Sequence, residues 1–162
     1  MRRRWARTYG ERSMAYRTPL RVRFNEIDPY SHVNHAVYLT YFEYGRTDAL
    51  ERAGIPIQQL AADGIQLVIT KVEVKFIRPA LAGDHLEVVT FLAESRRASH
   101  IWRQRVVRPD DDGGEVILVE GDITIAVADP RGRPTRPPAW LQEAFVKLEG
   151  GVEPDAAPEP GH

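Results

Sequence analysis

Residues 34–53 carry the longest helical pattern in the chain, while almost everything from 66 to 128 reads as strand. One long helix against several long alternating runs leaves few ways to bury apolar surface. On a 3.6-residue wheel Tyr38, Leu39, Phe42, Ala49, Leu50 and Ala53 share one broad face. Asn34 suits an N-cap and Gly54 the C′ position just past the end. A lone amphipathic helix needs an apolar surface to lie on, and a sheet supplies one.

The strand runs are 66–77, 85–93, 99–108 and 115–128, with turns rich in Gly, Pro and Asp between them. In the first, Val68, Val72, Val74 and Phe76 share a face opposite Lys71, Glu73 and Lys75. An earlier run, 20–24, puts Leu20, Val22 and Phe24 on one side and Arg21 and Arg23 on the other. Segment 55–64 is a connection with room for one helical turn. Pro137 and Pro138 introduce a short closing helix, AWLQEAFVKL. The order predicts an α+β domain, one helix packed on a curved antiparallel sheet.

That domain is expected over 19–147. Residues 1–18 are Arg-rich with Glu11 as the sole acid, which predicts a flexible tail; Met14 is an alternative start. Residues 148–162 are acidic and rich in Pro and Gly, and are expected to be disordered. The 162 residues, 43% hydrophobic and 28% charged, suit a single domain with a real core. A net charge of -1 gives no overall field for nucleic acid. With no cysteine, thiolate nucleophiles, disulfides and Cys-based metal sites are excluded, in keeping with a cytoplasmic protein. No apolar run spans a bilayer, so no membrane partner is expected.

The chemistry gathers in the turn before the long helix, where Asp28, Ser31, His32, Asn34 and His35 crowd together. Helix N-termini offer free N–H groups and a favourable dipole to developing negative charge. Asp28 could fold back over that terminus and take a proton from water or attack a carbonyl carbon. Equally, Asp28-Pro29 is a turn and Asp28 its capping residue. No GxSxG, P-loop or GxGxxG is present. His32 and His35 lack HExxH or a second ligand cluster, so no metal is expected. Glu43 and Arg46 fall within or beside the apolar arc of the helix, three residues apart. They read as a half-covered ion pair, or as one group reaching the active site.

The run DPYSHVNHAVY, 28–38, resembles the signature of hotdog-fold acyl-CoA thioesterases, the relatives of 4-hydroxybenzoyl-CoA thioesterase. YFEYGR, 41–46, resembles the pattern that follows on that family's central helix, and VKFIRP, 74–79, its next strand. The resemblance covers roughly 20–145. It implies a long helix wrapped by an antiparallel sheet of five or six strands, and a homodimer or homotetramer with active sites at the dimer interface. It also implies hydrolysis of acyl-CoA without metal or redox cofactor. Asp28 matches the catalytic carboxylate, as base or nucleophile. Asn34 matches the position whose backbone N–H polarises the thioester carbonyl. His35 stands beside it, where a second Asn is commoner, and His32 shapes the loop. Ser31 stands where many relatives have Gly. Glu43 is the reserve acid. Arg78, Arg96 and Arg97, at strand ends, are candidates for the CoA phosphates.

Two rival readings share the fold: a module that binds acyl-CoA or acyl-carrier protein without turnover, and a hydratase or dehydratase. Intact Asp28 and Asn34 weigh against the first, and the absence of a paired His and acid on the helix against the second. A third, DNA binding through the Arg-rich tail, predicts strongly salt-dependent binding.

Overall fold

The structure is a computed structural model and describes residues 15–149. The elements run β1 (Tyr16–Arg21), a single 3₁₀ turn (Phe24–Glu26), α1 (Val37–Arg52), α2 (Ile57–Ala62), β2 (Gln66–Phe76), β3 (His85–Ser95), β4 (Ser99–Pro109), β5 (Glu115–Ala128) and α3 (Ala139–Glu149). The five strands form one antiparallel sheet in the order β1-β3-β4-β5-β2. The long helix lies on this curved sheet, which is the hotdog arrangement expected from the sequence.

Helix α1 buries Tyr38, Tyr41, Phe42, Gly45, Arg46, Ala49 and Leu50. Gly45 sets how closely it approaches the sheet. A Cβ there would sit 2.6 Å from Val88 Cγ1 and 2.8 Å from Thr90 Oγ1, so only glycine fits the crossing. The helix ends as predicted. Gly54 takes φ 77°, its N–H donates to Glu51 O, and the Ile55 N–H donates to Leu50 O.

Four boundaries differ from the sequence reading. Strand β1 starts at Tyr16 and buries Tyr16 and Thr18, so the N-terminal tail stops short of residue 18. The strand also ends at Arg21: the chain turns off the sheet, and Phe24 is 90% exposed rather than facing inward with Leu20. Helix α1 begins at Val37 because Asn34 closes a turn ahead of it; Asn34 Oδ1 accepts from Ala36 N–H and Asn34 O from Val37 N–H. Helix α3 covers the predicted AWLQEAFVKL and continues to Glu149, with Leu148 buried against the core, so the domain extends past 147 into the first residues assigned to the acidic tail. The remaining calls on residues 1–14 and 150–162 fall outside the described residues.

Strand β2 departs most from its periodicity. A register shift between Ile69 and Lys71 breaks the alternation. The strand lies at the sheet's edge, and Val68, Ile69, Val72 and Phe76 are all exposed; among the predicted inward residues only Val74 packs against the core. At the opposite corner the interior is sealed. His100, near the start of β4, is fully buried under α3, its ring centroid 3.9 Å from that of Phe145. Its Nδ1 meets Ser95 Oγ at 3.1 Å, and its Nε2 has no partner among the described residues.

Candidate active site

The turn between β1 and α1 is built almost wholly from backbone hydrogen bonds. Asp28 N–H donates to His32 O at 2.7 Å, and Ser31 N–H donates to Asp28 O at 3.0 Å. Ser31 closes the turn with φ 66°, a conformation glycine adopts more readily. Val33 N–H donates to Ala80 O, tying the loop to the segment after β2. Two tyrosines from the first turns of α1 complete the clamp. Tyr38 Oη accepts from Ala80 N–H at 2.9 Å, and Tyr41 Oη donates to Glu26 Oε2 at 2.7 Å. Burial, and then the bond to Glu26, raise the Tyr41 phenol above its ordinary value and keep it a donor.

Within this frame Asp28 is held by one oxygen. Its Oδ1 accepts from Tyr30 N–H at 2.8 Å and from His32 N–H at 3.2 Å. Its Oδ2 has no partner among the described residues. The capping reading and the catalytic one are therefore compatible: one oxygen orients the group and the other stays available.

The role expected of Asn34 needs correcting. Its N–H donates to Glu26 O at 2.9 Å and cannot also meet a substrate carbonyl. Among the described residues the neighbouring His35 N–H has no acceptor, and it precedes the first turn of α1. The amide left open ahead of α1 is therefore that of His35, one residue along the chain. Among the described residues the exposed His32 and His35 side chains make no hydrogen bond, and no cluster of three metal-ligating side chains occurs.

The three arginines proposed for CoA divide. Arg78 lies at the Asp28 end, two residues before Ala80, and reaches Ile117 O at 3.5 Å. Arg96 and Arg97 lie in the β3–β4 hairpin at the other end of the sheet, with all 11 residues of β3 between. That is about 36 Å of strand. Arg96 is also bound to Glu94 by two hydrogen bonds. Arg21 and Arg23, which the sequence reading placed only on an outward face, share the Asp28 end with Arg78.

Glu43 and Arg46 do not form the ion pair expected of them. Arg46 turns inward and donates to Gln104 Oε1 at 2.8 Å, while Gln104 Nε2 donates to Phe42 O and Thr90 Oγ1, each at 2.8 Å. Burial lowers the Arg46 pKa to about 10, with Glu43 acting in the opposite direction. The sequence marks Gln104 only as a polar residue between Trp102 and Val106 on one face of a strand, which is the inward face of β4. Glu43 and Arg46 both line a cavity of about 310 Å³ between α1, α2 and the start of β2.

A family model described as the thioesterase-like superfamily matches residues 22–145. An acyl-CoA thioester hydrolase, YbgC, of Escherichia coli O157:H7 is 30% identical over 71% of this chain and 83% of its own length. The long-chain acyl-CoA thioesterase FadM of E. coli K12 is 33% identical over 69% and 82%. Among solved structures, a hypothetical protein, TT1821, of Thermus thermophilus superposes with a TM-score of 0.75 at 33% identity, over 82% of this chain and 98% of that one.

Proposed function

The chain belongs to the thioesterase-like superfamily, and from that premise we propose an acyl-CoA thioester hydrolase whose chemistry is carried by Asp28 and the His35 amide. Water adds to the thioester carbon, the C–S bond breaks, and a carboxylic acid and free CoA leave. Asp28 Oδ2 either draws the proton from that water or attacks the carbon first. The His35 N–H, with the dipole of α1 behind it, receives the negative charge gathering on the carbonyl oxygen. Tyr38 and Tyr41 are positioning residues that keep the loop at that helix end. Arg78, with Arg21 and Arg23 nearby, serves the CoA phosphates of its own chain's site. The observation that carries the reading is the divided carboxylate, one oxygen fixed by two amides and the other unused, beside a free amide.

The working unit is a homodimer, or a tetramer built from it. The exposed edge of β2 offers unpaired backbone groups and an apolar row, which a second β2 would cover. Sedimentation at the mass of a single chain would remove this part of the proposal. We place the enzyme in the cytoplasm, where a cysteine-free chain acting on CoA thioesters would meet its substrate.

The experiment is thiol release from a panel of short, long and aromatic acyl-CoAs, wild type beside Asp28→Asn. Turnover by the wild type that falls about a hundredfold or more in a folded variant supports the assignment. Equal turnover by the variant would return the acid's role to Glu43. No turnover by either protein favours the binding module.

A further inference from the structure

Two charged groups face the cavity beside the second half of α1, and the reaction above gives neither a task. The walls are mainly apolar, with Leu50, Leu60 and Ile125 among them. Arg46 is only 6% exposed. One of its donors meets Gln104, and among the described residues no carboxylate forms a salt bridge with it. A guanidinium carries five N–H donors, so several are left over. Glu43 lines the same space, and no described residue donates to its carboxylate. The wall therefore presents an acceptor and a donor, three residues apart on one helix.

We propose that this cavity receives the far end of the acyl group and selects acyl thioesters that end in a hydroxyl. The inference rests on the hydrolase reading. A hydroxyl can donate to Glu43 and accept from Arg46 at once. A terminal carboxylate would be repelled by Glu43 and an ammonium by Arg46. A methyl group would leave both polar groups desolvated and unpaired. A cavity of this volume holds a single ring or a short chain end.

The cavity's helical wall lies within reach of the Asp28 turn on the same chain. Glu43 stands six residues beyond Val37, the first residue of α1, which is about 9 Å of helix. A chain of eight carbons or an arylpropionyl group spans that distance.

The test is a preference ratio. kcat/KM is measured for 8-hydroxyoctanoyl-CoA against octanoyl-CoA, and for 3-(4-hydroxyphenyl)propionyl-CoA against 3-phenylpropionyl-CoA. The wild type should favour the hydroxylated member of at least one pair by about tenfold or more, as a site built to bind a hydroxyl does. Glu43→Leu should bring that ratio close to one. Arg46→Met should do the same, and if its loss of the Gln104 bond unfolds the protein, the exposed Glu43 still carries the test. Calorimetric binding of the same pairs to Asp28→Asn reads the preference without turnover. If the wild type hydrolyses no thioester, the hydrolase reading fails and the binding ratio alone decides the cavity. Ratios near one in the wild type, or a tenfold ratio that survives Glu43→Leu, would overturn the proposal.

Discussion

The Asp28 loop and the seat of His100 lie at opposite ends of one sheet and are held by opposite means. The loop is exposed, and its shape comes from backbone hydrogen bonds and two tyrosine hydroxyls. His100 is fully buried, and its shape comes from packing under α3, with one ring nitrogen left unpaired. Order without burial leaves a carboxylate oxygen free for chemistry. Order through burial leaves a titratable group that works only in its neutral form. Function and stability should therefore separate along the sheet.

The strongest test of that separation is Asp28→Asn. It keeps an oxygen that can accept from Tyr30 and His32 while removing the charge. Turnover should fall about a hundredfold or more. The melting temperature should stay within a few degrees of the wild type, since no described residue forms an ion pair with Asp28. A variant that melts much earlier would mean that the loop's order depends on the charge, and the contrast between the two ends would fail.

His100 provides the converse. Burial pushes its pKa down from 6.5 to about 4. Between those values the unfolded chain binds a proton that the folded chain refuses, so stability is complete above pH 6.5 and declines as pH falls towards 4. The shift corresponds to a loss on the order of 3 kcal/mol at pH 4. Denaturant midpoints across pH 7 to 4 would measure it, with His100→Gln as the reference that should flatten the profile there. A slope that persists in His100→Gln would assign the acid sensitivity elsewhere.

The two ends also differ in how much the sequence disclosed. Asp28 could be picked out because motif residues crowd before a helix, and Gly54 because a helix must stop somewhere. The α+β order followed from periodicity. Which amide stands open before α1 could not be read from the sequence, because it depends on which one the turn consumes, and Glu26 takes that of Asn34. The inward turn of Arg46 was hidden for a similar reason, its acceptor lying 58 positions away on β4. Strand β2 misled because alternation reports two distinct faces, whereas an edge strand in a single chain leaves its apolar side uncovered. Arg96 and Arg97 matched the wanted chemistry, but only the sheet register shows how far they lie from Asp28.

Ser31→Gly is the smallest perturbation that still bears on the contrast. Ser31 sits at φ 66°, and its hydroxyl makes no bond among the described residues. Two effects oppose each other. Glycine relieves a left-handed conformation that disfavours a side chain, and it loosens the unfolded chain by about 0.4–1 kcal/mol relative to a residue with a Cβ. They nearly cancel, so stability should move by no more than about 0.5 kcal/mol. kcat should stay within about twofold if the loop is held by its backbone, because Asp28 O, Tyr30 N–H and His32 N–H are all untouched. A tenfold fall in kcat at unchanged stability would show that the Cβ of Ser31 restrains the loop. The exposed end would then depend on side-chain restraint as the buried end does.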